Sequence, residues 1–451
     1  MIFIFLSLII YHTFDWVYHK FYNDNKIEMA NGGTKGGDYL AFYTGGVLYK
    51  TNKKELYNLD IQKNIQDNIL QKGNNSKENI KENNKKNNIK NSKEENSQKE
   101  NSKEENCQEE NSQRVKLPYI YPPIVAYIFS YLANFSFLNS LYFYLAFIII
   151  FTLLVIFIFQ KLVIKQISSS PNTFTTLLLL LGYIPFIMNC VFGGQLAYFG
   201  LTICVLAFYA IYKRNDFLLG IVLSLAYYKP PLFLLFVIYA LIRKGKKFFL
   251  GFSLGCVLLI FITLLLIGHA SFIDYFSLAS GYTYGQKFGN KISLPVAQGA
   301  GVFGLLATII SGKYALYSYP IFIFITILFA YKNKTSNCIK KEYINNNINN
   351  DMILELFEYS IIFILSVGAS LQCIRYDLTI LFPSFLILLS LNKYIKNDIK
   401  YILYFGIALF YIEFMFREIH IFNLTINLSS CIFFIFLIPF IFTKKKECNA
   451  K

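Results

Sequence analysis

Residues 139–165 form the sequence NSLYFYLAFIIIFTLLVIFIFQKLVIK, an apolar run that ends at Lys161 and Lys165. A helix needs about 20 predominantly apolar residues to cross a bilayer, and the part of the run before Lys161 has this length. Short cytoplasmic loops of membrane proteins are enriched in Lys and Arg. The run therefore predicts a membrane-spanning helix at 139–160 whose lysine end faces the inside.

The whole chain has the composition of a membrane protein. Of its 451 residues, 55% are hydrophobic and 16% are charged, whereas soluble domains contain about 25% charged residues. The net charge of +16 does not indicate a nucleic-acid partner, because the cations cluster where apolar runs end. Such clusters occur at Lys213-Arg214, Arg243 to Lys247, Lys332 to Lys334 and Lys444 to Lys446.

The eight cysteines are scattered and form no CxxC pair, so they predict neither a disulfide framework nor a zinc site. No P-loop or GxGxxG phosphate cradle is present in a strand-to-helix context. We expect a protein without a metal or a cofactor.

These patterns predict an all-α polytopic membrane protein, a single transmembrane domain over residues 1–451 with about ten crossings and one short hairpin. The chain would be an integral, multi-pass protein of the plasma membrane in a bacterium or of the endoplasmic reticulum in a eukaryote. The predicted spans are 1–19, 139–160, 173–191, 196–212, 248–268, 314–331, 352–373, 378–392, 401–416 and 427–442.

Two outside segments differ in composition from the spans. Residues 71–113 consist almost wholly of Asn, Lys, Glu, Ser and Gln. They bury too little apolar surface to offset chain entropy, which predicts a disordered, low-complexity insertion in the first outside loop. Residues 269–313 are rich in Gly, Tyr and polar residues and predict a large outside loop.

The predicted hairpin covers residues 215–242 between two inside clusters of cations. Its 28 residues are too few for two crossings, which need about 40. Tyr228-Lys229-Pro230-Pro231 lies near its middle. Nonhelical backbone at membrane depth occurs only where it is buried in protein or lines a cavity. We therefore predict a partly inserted hairpin or two broken helices, with Lys229 at a cavity.

Asp38 is the first candidate for chemistry. It lies in the sequence GGDYLAFY, residues 36–43, just outside the predicted first span. A carboxylate at this place could act as a general base in a reaction of a membrane lipid. Alternatively it caps a helix that begins at Tyr39, since Asp is a favoured N-cap residue. The two roles are compatible.

Further polar residues fall on the outer half of the predicted topology, where ionisable groups are costly and usually functional. Lys229 could instead extend its stem to the interface, and Arg375 could simply pair with Asp377. The residues in question are Tyr121, Gln195, Lys229, Arg375, Tyr376 and Asp377.

One reaction would use Asp38 together with most of these residues. A sugar carried on a lipid phosphate needs a cation for the leaving phosphate, and Arg375 or Lys229 could supply it. Asp38 would take the proton of the acceptor hydroxyl. The Gln195 amide and aromatic residues would hold the sugar, and direct displacement would invert the anomeric centre. The aromatic candidates are Tyr43, Tyr121 and Tyr376.

The order of these motifs resembles glycosyltransferase family 87, the polyprenyl-phosphate-mannose-dependent mannosyltransferases of the GT-C superfamily. The resemblance covers most of the chain outside the low-complexity tract and is closest from Tyr121 to Gly251. It is carried by Gly37-Asp38-Tyr39, Tyr121-Pro122-Pro123, Gly194-Gln195 and the stretch from Gly220 to Pro231 with Lys229-Pro230.

The resemblance implies a GT-C membrane fold, a polyprenyl-phosphate sugar donor, a lipid or glycan acceptor and a catalytic aspartate that corresponds to Asp38. Three features depart from the family pattern, namely the insertion in the loop that carries Asp38, the short first span and Pro231 after Pro230. They leave the sugar and the acceptor open.

Two alternatives remain. The first is a mannosyltransferase of the glycosylphosphatidylinositol type in the endoplasmic reticulum, although its paired acidic motif is not evident in the first loop. The second is a polytopic lipid or solute transporter. Transporters often carry inverted repeats with matching broken segments, whereas this sequence predicts one broken hairpin without a counterpart.

Overall fold

The computed structural model describes residues 35–75, 117–167, 171–280, 299–310, 317–332, 349–412, 418–421 and 424–436, together with Tyr11, Asp15 and Ala315. Within these ranges the regular secondary structure is helical, apart from one pair of short β-strands. The predicted first span, 1–19, lies outside the described residues apart from Tyr11 and Asp15.

The elements have the following bounds. The α-helices are α1 Tyr39–Thr51, α2 Leu59–Asn75, α3 Pro123–Leu132, α4 Phe137–Leu162, α5 Thr173–Leu181, α6 Ala197–Tyr212, α7 Asp216–Ser224, α8 Pro230–Lys244, α9 Lys246–Ser280, α10 Val302–Ile310, α11 Ser318–Lys332, α12 Asn349–Gly368, α13 Phe382–Ser390, α14 Asn397–Ile412 and α15 Leu428–Ile435. Shorter helical turns are the 3₁₀ segments Lys53–Glu55, Ile164–Gln166, Leu225–Tyr228 and Arg375–Leu381 and the π-helix Pro185–Val191. The antiparallel strands β1 Glu418–Ile421 and β2 Leu424–Asn427 pair Glu418 with Asn427.

The chain divides into two compact units. The larger contains Leu145–Ile262 and Ala279–Lys451, and the smaller contains Asp15–Tyr144 and Thr263–Leu278.

In the smaller unit, α1 packs closely on α3. Gly46 permits the contact, since a Cβ there would lie 2.5 Å from the carbonyl oxygen of Phe129 in α3, and Gly45 makes room for Tyr119 before α3, whose ring would lie 2.6 Å from a Cβ. Real Cβ atoms essentially never come so close. The two helix surfaces can therefore meet only where side chains are absent.

Two glutamines one helical turn apart on α2 bind the chain that follows the low-complexity tract. Gln62 accepts a 2.7 Å hydrogen bond from the Tyr119 N–H and donates one of 3.3 Å to its carbonyl. Gln66 likewise accepts from the Leu117 N–H at 3.2 Å and donates to its carbonyl at 2.6 Å. Residues 71–75 belong to α2, and the rest of the predicted insertion lies outside the described residues.

Two predicted spans match long apolar helices. By length and composition, α4 with its 3₁₀ extension (Phe137–Gln166) and α9 (Lys246–Leu278) are the two described helices able to cross a membrane singly. The predicted span 173–191 is broken into α5 and the π-helix, which meet at a 60° bend. Pro185 at the start of the π-helix explains the break, because proline cannot donate to a continuing helix. The count of ten crossings stays a prediction.

The helix α9 is longer than predicted. It continues to Ser280 through a kink at Gly268, whose backbone (φ 78°, ψ 173°) is not helical. Residues 269–280, placed in the outside loop by composition, are therefore helical, and residues 302–310 of the same loop form α10. The kink uses a conformation that only glycine adopts readily.

In the larger unit, residues 215–242 form two helices with a break between them, one of the two predicted alternatives, whereas their insertion in a membrane stays a prediction. Helix α7 passes into the 3₁₀ turn Leu225–Tyr228, and α8 starts at Pro230. Lys229 between them has a nonhelical backbone (φ −156°, ψ 72°). A residue before proline is driven out of the helical region, and proline itself is well placed in a first helical turn. The sequence Lys-Pro-Pro thus produces the break locally.

Ion pairs stabilise the opposite end of these two helices, where α7 begins and α8 ends. Lys244 at the end of α8 pairs with Asp216 at 3.2 Å and with Glu355 of α12 at 2.5 Å. The buried carboxylate of Glu358 pairs with Arg243 at 3.3 Å and accepts a 2.8 Å hydrogen bond from Tyr239. These contacts join α7, α8 and α12 about 22 Å along α8 from Lys229, at 1.5 Å per residue.

Candidate functional site

The break at Lys229 places an ammonium group in the interior of the larger unit. Lys229 Nζ lies 2.6 Å from Asp377 Oδ2 and 3.4 Å from the Tyr376 hydroxyl. It also stands 4.6 Å from the centre of the Tyr376 ring, within the range of a cation–π interaction. The side chain of Lys229 is 11% exposed and that of Asp377 is 1% exposed. A buried charge of either sign requires such a partner.

Asp377 is held by the start of the 3₁₀ helix that contains it. Its Oδ2 accepts a 2.8 Å hydrogen bond from the backbone N–H of Ile374, the residue that precedes the helix. Burial raises the pKa of the Asp377 carboxyl above its ordinary value, whereas the Lys229 ammonium and the Ile374 N–H lower it. The carboxylate is therefore placed relative to the backbone as well as to Lys229.

The same 3₁₀ helix packs against the π-helix and α6. Tyr183, at the bend before the π-helix, donates a 2.7 Å hydrogen bond to the carbonyl of Leu378. Gly200 of α6 faces Tyr228 and Ile380: a Cβ there would lie 2.0 Å from the Tyr228 hydroxyl and 2.9 Å from Ile380 Cγ2. The 3₁₀ helix that contacts Lys229 thus packs against the bend at Tyr183, the π-helix and α6, and Gly200 of α6 also faces the Leu225–Tyr228 turn.

Three buried polar atoms of the larger unit, two on these stretches and one between the π-helix and α6, have no hydrogen-bond partner among the described residues. They are Gln195 Oε1, the Tyr228 hydroxyl and Thr379 Oγ1. Gln195 is 5% exposed, and its own N–H bonds to the Cys190 carbonyl at 3.0 Å. Buried polar groups are nearly always paired. Hydroxyl and amide groups of this kind can bind the hydroxyls of a sugar.

Asp38 lies in the smaller unit, directly before α1. The turn ahead of it contains Gly36 and Gly37, both with positive φ (79° and 48°). Asp38 is partly exposed, and its backbone carbonyl accepts the N–H of Ala41 at 2.9 Å. Its side chain makes no capping hydrogen bond to α1. Asp38 thus occupies the N-cap position of a helix that begins at Tyr39, as the alternative suggested, but without the side-chain hydrogen bond of a cap.

Tyr43 and Tyr121 belong to an aromatic core in the same unit. The Tyr43 hydroxyl donates a 2.8 Å hydrogen bond to the Phe135 carbonyl. The ring of Tyr121 meets that of Phe42 edge-on at 4.8 Å. Burial raises the pKa of the Tyr43 phenol, so it remains neutral. Each ring is over 90% buried, and their role in sugar binding stays a prediction.

The structure brings some of the predicted residues together. Lys229 and Tyr376 are in contact, Arg375 begins the same 3₁₀ helix as Tyr376, and Gln195 lies in the same unit. The suggestion that Asp377 pairs only with Arg375 is wrong, because Asp377 pairs with Lys229. The residues Asp38, Tyr43 and Tyr121 belong to the smaller unit.

Sequence reasoning missed Tyr228, Thr379 and the role of Asp377. Tyr228 precedes Lys229 directly, so its place next to the break was a usable signal. No sequence motif next to Thr379 indicates that it lies in this region. Asp377 lies 148 residues from Lys229, and no spacing rule connects them.

One family model matches part of the chain. The model of glycosyltransferase family 87 matches residues 119–330, slightly less than half of the chain. The matched range contains Tyr121, Gln195 and Lys229 and ends before Arg375. No curated protein and no solved structure shows significant similarity to the chain. The chain is thus similar to glycosyltransferase family 87 over its central part.

Proposed function

We propose that this chain is a membrane glycosyltransferase of family 87 that moves a sugar from a polyprenyl-phosphate donor to a lipid or glycan acceptor. The observation that carries the proposal is the buried Lys229 ammonium at the broken hairpin, inside the range matched by the family model. Mannose is the sugar that the resemblance favours. The long apolar helices α4 and α9 suit a lipid-linked substrate.

Lys229 would bind the phosphate of the donor. An ammonium has three N–H donors; one lies on Asp377 and one points to Tyr376. The third is available to a phosphate oxygen, and charge-assisted hydrogen bonds of this kind are about twice as strong as neutral ones. Arg375, on the same 3₁₀ helix as Asp377, is the second candidate cation. The unpartnered atoms of Gln195, Tyr228 and Thr379 would bind sugar hydroxyls.

Asp38 would act as the general base. The acceptor oxygen attacks the anomeric carbon while the bond from that carbon to the phosphate oxygen breaks. The acceptor proton passes to the Asp38 carboxylate, and polyprenyl phosphate leaves with the electron pair. Such a single displacement inverts the anomeric configuration. General-base catalysis contributes about 10² to 10⁴ in rate.

The test is sugar transfer from radiolabelled polyprenyl-phosphate-mannose into membrane lipid or glycan. We expect transfer by the wild type and a loss of at least about a hundredfold with Asp38→Asn. Asp60→Asn, an exposed carboxylate on α2 of the same unit, is the matched control and should retain full activity.

The other outcomes are equally informative. If Asp38→Asn still transfers sugar, the assignment as a glycosyltransferase stands and Asp38 is excluded as the general base. Absence of transfer with every polyprenyl-phosphate sugar tested would favour the lipid or solute transporter. Transfer that requires a glycosylphosphatidylinositol precursor as acceptor would identify the endoplasmic-reticulum type of mannosyltransferase.

A further inference from the structure

We propose that Asp377 is a positioning residue that holds the Lys229 ammonium in the orientation that binds the donor phosphate. The inference rests on the proposed function, since it takes the ligand of Lys229 to be the phosphate of a lipid-linked sugar. It goes beyond the sequence prediction, which placed Asp377 among the polar residues of the outer half but gave it no part in the reaction.

The Lys229 side chain is held at both of its ends. At the backbone end, the following proline keeps Lys229 in a nonhelical conformation. At the other end, Nζ contacts a carboxylate oxygen that is itself bonded to the Ile374 N–H at 2.8 Å. A lysine side chain otherwise samples many rotamers. Asp377 removes that freedom before the ligand arrives, which is preorganisation of a binding group.

Burial decides which charge a ligand meets. Asp377 is 1% exposed, whereas the Lys229 side chain is 11% exposed. The Lys229 side chain is therefore the more accessible member of the pair. The Tyr376 ring covers one further side of the ammonium, 4.6 Å from Nζ. An incoming anion would contact Lys229, and Asp377 would act on it only through Lys229.

Asp377 also has a local structural contact, because it accepts the Ile374 N–H at the start of the 3₁₀ helix. A test must separate this contact from the effect on Lys229. Asp377→Asn is suited to this purpose, since its amide oxygen can still accept from Ile374 while the negative charge is lost. Asp377→Glu keeps the charge and serves as the conservative variant.

The experiment is a double-mutant cycle on purified full-length protein, with KM for polyprenyl-phosphate-mannose, kcat and thermal unfolding measured for each variant. The variants are Asp377→Asn, Lys229→Gln and the double substitution. We expect each single change to raise KM by about tenfold or more, as the loss of one charge-assisted hydrogen bond does. The double variant should be no worse than Lys229→Gln alone, because contacting residues that act as one unit are not additive.

Glu358→Gln is the matched control. It neutralises another buried carboxylate of the same unit, paired with Arg243 at 3.3 Å and distant from Lys229 along α8. It should lower the unfolding temperature and leave KM unchanged. Asp377→Glu should show a smaller rise in KM than Asp377→Asn, because it keeps the negative charge beside Lys229. A purely structural role of Asp377 would not produce this difference.

Two results would overturn the inference while the proposed function stands. One is a wild-type KM in Asp377→Asn, and the other is a double variant whose KM shows the product of the two single effects. The proposed function would be overturned, and this inference with it, by two results together. The wild type would transfer no sugar, and Lys229→Gln would leave the binding of polyprenyl phosphate unchanged.

Discussion

The hydroxyl of Tyr183 donates a 2.7 Å hydrogen bond to the backbone carbonyl of Leu378, 195 residues further along the chain. Tyr183 is fully buried and lies at the bend between α5 and the π-helix. Leu378 follows Asp377 in the 3₁₀ helix. The bond therefore links a broken apolar segment directly to the helix that carries the partner of Lys229.

Tyr183→Phe should destabilise the protein by about 1–3 kcal/mol, because the buried Leu378 carbonyl loses its partner without gaining water. The measurement is thermal unfolding in detergent micelles. Tyr401→Phe provides the control, since Tyr401 is 66% exposed on α14 and its change should be neutral. An unfolding temperature equal to that of the wild type would show that the bond contributes no stability.

Gly200→Ala should disturb the residues beside Lys229. Its Cβ would lie 2.0 Å from the Tyr228 hydroxyl and 2.9 Å from Ile380 Cγ2, so both side chains must shift within a packed interior. Overpacking of this kind costs about 1–3 kcal/mol, and we expect KM for the donor to rise with it. Leu206→Ala, a half-exposed position on the same helix, is the comparison. Retention of both wild-type stability and KM would contradict the close packing described.

Gln62→Ala combined with Gln66→Ala should weaken the smaller unit. The two side chains make four hydrogen bonds to the backbone of Leu117 and Tyr119. Each such bond contributes about 1 kcal/mol net. We expect faster proteolysis at residues 117–122 and a lower unfolding temperature. Lys63→Ala, which removes a surface pair with Asp67, should change neither.

The low-complexity tract should be dispensable. The described residues on either side of it belong to α2 or are bonded to it, because Leu117 accepts a hydrogen bond from Gln66 and the helix itself continues to Asn75. Replacement of residues 76–113 by a short Gly-Ser linker should therefore preserve expression, unfolding temperature and sugar transfer. Loss of transfer with unchanged unfolding temperature would instead assign the tract a part in the reaction.

Much of the local structure follows from the sequence because its causes are local. Apolar runs of sufficient length produce α4 and α9, and the Lys-Pro-Pro sequence produces the break between α7 and α8. Asp38 directly precedes the first described helix, as predicted. Composition misassigned residues 269–280, since a polar, aromatic-rich segment can extend a helix beyond a single kinked glycine.

The arrangement around Lys229 depends instead on contacts that no local pattern encodes. The pairing with Asp377 spans 148 residues, and the bond from Tyr183 to Leu378 spans 195. Both arise because a buried charge or hydroxyl must find a partner within the packed interior. The amino-acid sequence specifies which helices form and where the cation falls in the chain. Packing among distant segments selects its partner, because burial and hydrogen bonding act on neighbours in space.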